Sequence, residues 1–192
     1  MNAFFAMQNR MKHIKRWGLM RNTLPEDVQQ HTAQCAMLAH ALAVIGNRRL
    51  GRHYDANAVA VLALYHEAAE VLTGDLATPV KYFDPEIRQA YRRIEDTASQ
   101  KLLDSLPQDL QTDYQPLLFP AEDEAAVLVK AADRLCAYLK CAEELKMGNH
   151  EFASAHRANY DALTAMNCPE ADIFLREFAP AFSLSLDELT LG

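Results

Sequence analysis

Apolar residues recur at helical spacing along most of the chain, separated by short polar punctuation. Val28, Cys35, Leu38, Leu42 and Ile45 fall on one stripe, which predicts a helix over Glu26–Asn47 closing near Gly46 or Gly51. Before it, an amphipathic segment spans Asn2–Lys15, and an irregular link runs from Arg16 to Pro25. Asp55 is placed to cap a third helix, Ala56–Leu72, which Thr73 and Gly74 stop. The stretch Gly74–Pro79 reads as a loop. Further helices are predicted over Pro85–Leu106 and Glu122–Met147, with shorter ones over Glu151–Met166 and Ala171–Phe178 and a last turn near Ser185.

Composition sharpens this to an all-α fold. The chain has 31 Ala and 25 Leu against 8 Val and 5 Ile, so the best helix formers are abundant and strand formers scarce. Six glycines in 192 residues leave few tight hairpin turns. That length suits one domain over 1–192, with enough core to fold without a disulfide or metal. Cys35, Cys136, Cys141 and Cys168 form no C-x-x-C pair and read as buried free thiols.

A net charge of −7 argues against a protein that wraps nucleic acid through phosphate contacts. A small anionic substrate, which needs only a few local cations, stays open. No apolar run is long enough to span a membrane, and the first residues lack the pattern of a secretory signal; a cytoplasmic location is expected.

Ionisable residues interrupt otherwise apolar helix faces in three places. The third helix carries His66, Glu67 and Glu70; His66 and Glu70, at i and i+4, share a face, while Glu67 projects about 100° round an ideal helix. Asp133 stands in the core-like stretch Leu128–Leu139, and His31 lies early in the second helix. Burying such groups unpaired costs several kcal/mol, so they are normally paired or bound to metal. Each has an ordinary alternative: a satisfied core histidine, Asp133 paired with Arg134 or Arg21, or a solvent-facing Glu67 and Glu70. Their conjunction on three helices suits a borderline divalent ion such as Mn²⁺, Fe²⁺, Co²⁺ or Zn²⁺. His66-Glu67-Ala68-Ala69-Glu70 superficially matches the zinc-protease H-E-x-x-H helix, but Glu70 replaces the second His.

The order His31, His66-Glu67, Asp133 resembles the H…HD…D pattern of HD-domain phosphohydrolases. Longer stretches narrow the resemblance: Arg16-Trp17-x-x-Met20-Arg21; Tyr65-His66-x-Ala68-x-Glu70-Val71-Leu72-Thr73-Gly74-Asp75-Leu76-x-Thr78-Pro79-Val80-Lys81-Tyr82-Phe83; and Ala132-Asp133-x-Leu135-Cys136-Ala137-Tyr138-Leu139-Lys140-Cys141. Together they resemble the bacterial HD-domain 5′-deoxynucleotidases over nearly the whole chain. The resemblance implies an all-α, homodimeric enzyme that hydrolyses deoxyribonucleoside 5′-monophosphates with one divalent metal per subunit, Co²⁺, Mn²⁺ or similar.

It further implies that His31, His66, Glu67 and Asp133 hold the metal. Arg16 and Trp17 would meet the substrate, and Asp75, Leu76, Ala77 and Thr78 would cradle phosphate and sugar. Glu70 takes the place of a catalytic glutamate, Asp75 that of the acid protonating the leaving oxygen, and Arg16 the fixed cation on the phosphate. Two features depart from the family. Its HD dipeptide is His66-Glu67 here, and Leu118-Phe119-Pro120-Ala121 stands where it carries an acid linked to sugar discrimination. Alternative readings are hydrolysis of dNTPs or an alarmone, and a nucleotide-binding relative weakened by Glu67.

Overall fold

A computed structural model describes residues 2–81 and 83–189, apart from the side chain of Thr78. Its helices are α1 (Phe4–Gln8), α2 (Val28–Arg49), α3 (Ala56–Tyr65), α4 (Glu70–Thr73), α5 (Thr78–Lys81), α6 (Pro85–Asp104), α7 (Gln108–Leu118), α8 (Glu124–Lys146), α9 (Ala153–Ala165) and α10 (Pro169–Glu177). Short 3₁₀ turns cover Met11–His13, His150–Phe152 and Ala179–Ser183. The fold is all-α; among the described residues the only extended pairing is one antiparallel bridge between Lys15 and Asp27.

Aspartates start the long helices. The side chains of Asp27, Asp55 and Asp123 each accept a backbone N–H three residues on, and Asp84 accepts one two residues on, from Glu86. Asp27 and Gln30 complete a reciprocal capping box at the head of α2. That helix does not close at Gly46 but continues to Arg49. Gly46 lies inside it because a Cβ there would come within 2.6 Å of the Tyr54 ring.

The central layer is α2, α3 and α8, with α10 against α2. Their shared core includes Cys35, Leu38, Leu42, Val59, Leu128, Leu135, Leu139, Leu163 and Phe174. Ala63, Ala131 and Ala132 are wholly buried there, and such small side chains let helix backbones approach closely. A second cluster gathers Phe4, Ala68, Leu102, Leu103, Leu106 and Leu118, packing α1 and the region after α3 onto α6 and α7. All four cysteines are free and buried, as expected.

The structure differs from the pattern in four further places. Gly74–Pro79 is a loop only as far as Ala77; Thr78 and Pro79 open α5, where the first turn tolerates Pro. The amphipathic segment Asn2–Lys15 is two short pieces, α1 and a 3₁₀ turn, rather than one helix. The apolar pattern does not predict α7, a polar helix that buries Leu118 and contains Pro116. The helix predicted over Ala56–Leu72 breaks after Tyr65. Through the break, Ala68 N–H bonds Tyr65 C=O, Glu70 N–H bonds Glu67 C=O and Leu72 N–H bonds Ala69 C=O. These i→i−3 bonds tighten the chain to about three residues per turn.

Candidate functional site

That tightened turn builds the site. At about three residues per turn, residues i and i+3 eclipse, so Glu67 and Glu70, already neighbours on an ordinary helix, stack more directly. Gly74, at φ +73°, then ends α4 and releases Asp75, Leu76 and Ala77 as a short loop before α5. From the neighbouring helices, α2 delivers His31 and α8 delivers Asp133.

His31, His66, Glu67 and Asp133 each offer a ligand atom lying within 4.8 Å of the others. His66 Nδ1 sits 2.7 Å from the Ala63 carbonyl, so it carries the proton and leaves a lone pair on Nε2. His66 Nε2 and both nitrogens of His31 are buried without a hydrogen-bond partner among the described residues. His31 Nε2 stands 3.2 Å from Asp133 Oδ1, close but not aligned as a hydrogen bond. Two imidazole nitrogens and two carboxylates with unused lone pairs fit a borderline divalent cation.

Electrostatics carry the same imprint. Burial opposes ionisation of Asp133, but His31, His66 and Arg16 hold its carboxyl well below the usual carboxylate range. Burial likewise opposes charge on His31, and the contact with Asp133 overrides it, so its pKa is raised. Glu70, 6% exposed with an unpartnered Oε2, is pushed up to about 10 by burial and by the negative charges of Glu67 and Asp75. Asp75 is raised as well, chiefly by burial and against the pull of Arg16. A bound cation would offset the carboxylate crowding.

Above this cluster opens a cleft of about 640 Å³. Arg16, Trp17, Glu67, Glu70, Asp75, Leu76, Ala77 and Asp133 all line it. The side chain of Thr78 lies outside the described residues. His31 is buried beneath, and His66 borders a smaller cavity of about 230 Å³ on the other side, with Asp133 lining both.

Arg16 and Trp17 belong to the link before α2, which the Lys15–Asp27 bridge ties down: Arg16 N–H bonds Glu26 C=O, and Val28 N–H bonds Ile14 C=O. The Arg16 side chain reaches Glu26 (3.4 Å) and Glu67 (3.8 Å). Trp17 has φ +59°, a strain of order 1–3 kcal/mol for a bulky residue. Its indole N–H donates to Glu26 Oε2 at 2.6 Å, and its ring packs 5.4 Å from Phe152.

The ordinary pairings do not account for Asp133: Arg21 binds Glu151, and Arg134 reaches Asn159. Lys81, Arg134 and Asn159 also line the cleft. Of these the sequence marked Lys81 weakly and Asn159 not at all, because its α9 neighbours read as an ordinary helix. Glu26, read as part of a helix start, is a contact for both Arg16 and Trp17; no motif signalled it.

Comparison with known proteins identifies the class first. A solved HD-domain phosphohydrolase from Listeria innocua matches at TM-score 0.81 and 19% identity, over 93% of this chain and 87% of its own. A cyanophage S-2L HD phosphohydrolase, solved with dA and one catalytic Zn²⁺, matches at TM-score 0.62 and 21% identity, over 92% and 95%. These establish the fold. Residues 3–182 match the YfbR-like 5′-deoxynucleotidases, and a Vibrio vulnificus 5′-deoxynucleotidase is 52% identical over 189 residues, 97% of each chain. The chain belongs to the YfbR-like 5′-deoxynucleotidase family.

Proposed function

We propose that this chain, acting as one HD-type unit over 1–192, hydrolyses deoxyribonucleoside 5′-monophosphates to nucleoside and phosphate with a divalent metal. The observation that carries this reading is the His31–His66–Glu67–Asp133 cluster, with unpartnered imidazole nitrogens, whose Glu67 and Asp133 line a cleft shared with Arg16 and Asp75. Those four residues would hold one ion per subunit, with Co²⁺ and Mn²⁺ the first metals to try. When bound, such an ion supplies Lewis-acid polarisation of a phosphoryl oxygen and lowers the pKa of water.

The chain's own groups divide the remaining work. Arg16 neutralises the phosphate as a fixed, forked donor. Glu70 is kept protonated by the crowding of Glu67 and Asp75; with a cation bound to offset those charges it would ionise, orient the attacking water and take its proton. Asp75, which lines the cleft and whose pKa burial pushes upward, gives a proton to the departing 5′-oxygen. Leu76, Ala77 and Thr78 shape the phosphate and sugar end of the cleft, and Trp17 forms its opposite wall.

A triphosphate would need further free cations. Lys81 is held 2.8 Å from Glu95, which among the described residues leaves Arg16 and Arg134 as the cleft's cations, few enough to favour a monophosphate. Among the described residues no helix is long and apolar enough to cross a membrane. A cytoplasmic homodimer acting on free nucleotides rather than nucleic acid completes the reading.

Phosphate release from a panel of dNMPs and NMPs, each with Co²⁺, Mn²⁺, Zn²⁺ or chelator, tests it. Metal-dependent release favouring the deoxy series is the expected result. Equal release with chelator, or none with any metal, overturns it.

A further inference from the structure

One carboxylate outside the ligand set touches both residues assigned to the substrate. Glu26 Oε2 accepts the Trp17 indole N–H at 2.6 Å and forms an ion pair with Arg16, 3.4 Å from Nε but not aligned as a hydrogen bond. The Glu26 backbone is fixed as well, since its carbonyl accepts Arg16 N–H at 3.0 Å and the next residue, Asp27, caps α2. That helix carries His31 on its first turn, so Glu26 joins the link bearing Arg16 to the helix bearing a proposed metal ligand. The Glu26 and Arg16 side chains are 11% and 12% exposed, so solvent screens their attraction little.

Arg16 has a competing partner. Its Nη1 is 3.8 Å from Glu67 Oε1, the carboxylate proposed to bind metal. Coulomb attraction rises as the separation shrinks, so an Arg16 without its outer counter-charge is drawn onto Glu67. There it would occupy the carboxylate a cation needs and withdraw its fork from the cleft. Glu at position 67 extends one methylene further than Asp would, which brings this competition within reach.

We propose that Glu26 is a positioning residue: its carboxylate holds Arg16 and Trp17 facing the cleft and keeps Arg16 off Glu67. The role in catalysis rests on the nucleotidase reading above, whereas the effect on the metal cluster does not.

The test compares wild type with Glu26→Gln, Glu26→Asp and Glu26→Ala. Three readouts are taken: fluorescence of Trp17, the only tryptophan of the chain, Mn²⁺ affinity by calorimetry, and KM and kcat for dAMP. In Glu26→Gln the amide oxygen still accepts the indole N–H, so emission stays near wild type. With the charge gone, Mn²⁺ affinity falls about threefold or more, and KM rises about tenfold with kcat nearly unchanged. Glu26→Ala adds a shift in emission, and Glu26→Asp recovers Mn²⁺ affinity relative to Glu26→Gln.

Wild-type Mn²⁺ affinity and KM in both Glu26→Gln and Glu26→Ala overturn the proposal, and so does a fall in KM. Loss of helical circular dichroism in the isosteric Glu26→Gln also overturns it, because the charge would then serve the fold. If wild type binds Mn²⁺ but releases no phosphate from dAMP, the nucleotidase reading fails; the Mn²⁺ and fluorescence comparisons still decide the clamp.

Discussion

Two regions each bury one ionisable side chain almost completely and treat it in opposite ways. Around Glu144, 0% exposed on α8, every demand is met. Its carboxylate accepts the backbone N–H groups of Thr23 (2.9 Å) and Leu24 (3.1 Å), the Asn149 amide (2.9 Å), Lys140 Nζ (2.5 Å) and the Thr23 hydroxyl. Lys140 also donates to Leu24 C=O. Around His31, 1% exposed on α2, buried nitrogens and a Glu70 oxygen have no partner among the described residues. Satisfaction marks the first region as structural, anchoring the loop that follows Trp17. Unmet valence marks the second as a place for a ligand.

Chemistry should break first where valence is unmet. His31→Ala or Asp133→Ala is expected to lower phosphate release from dAMP by about a thousandfold or more, with helical circular dichroism retained. Near wild-type rates in both would sink the ligand assignment. Glu144→Ala should do the reverse and strike stability, by about 3–5 kcal/mol in urea unfolding, because Lys140 is left buried and unpaired. Replacing both partners, Lys140→Met with Glu144→Leu, should return most of that loss.

Metal occupancy sharpens the contrast next. A divalent ion at a hundred times its Kd should stabilise the fold by about 2.7 kcal/mol, seen as a higher Tm, and His31→Ala should abolish that gain. Its affinity should weaken as pH falls through the raised pKa of His31, since protons then compete for the ligand nitrogen. A Tm unchanged by Mn²⁺, Co²⁺ and Zn²⁺ would count against the cluster.

A pH series separates the regions further. Metal-free Glu70 titrates near 10 when folded, against about 4.3 unfolded, so between these values the folded state holds more protons. Stability of the chelated chain should therefore decline as pH rises across that window. His31, also raised, adds a loss of the same sign as pH climbs through its folded value. Thermal melts in chelator follow the slope, which Glu70→Gln should reduce. Glu144, held below the usual range, acts oppositely: its contribution is present above about pH 4.3 and lost only as pH falls through its folded pKa.

The smallest effect is expected from Glu67→Asp. Shortening the side chain by about 1.5 Å moves the carboxylate away from Arg16 and should raise Mn²⁺ affinity a few-fold. No change in calorimetry would mean that Glu67 already reaches the ion as well as Asp would.

Much of this molecule was legible before its fold was known. The apolar stripes placed α2, α6 and α8 within a few residues, because long amphipathic helices repeat their signal over many turns. His31, His66, Glu67, Glu70 and Asp133 stood out because each breaks an apolar face. Yet Glu144 breaks the same kind of face on α8, and only Lys140, four residues earlier on that face, marks it as paired. Helix α7 escaped because its sequence is polar and carries Pro116, and its stability comes from packing against partners distant in sequence. Glu26 escaped because its two contacts form across a chain reversal that no helical spacing describes.

The sequence by itself determined an all-α chain, its main helices and the residue types of a metal-dependent phosphohydrolase, because helical periodicity and motif spacing are local properties. Only the tertiary structure decided which buried charges are paired and which are left open. It also broke the helix after Tyr65 and set Glu26 against both Arg16 and Trp17. Those outcomes depend on how elements meet in space, across chain reversals and between helices, and helical periodicity does not encode them.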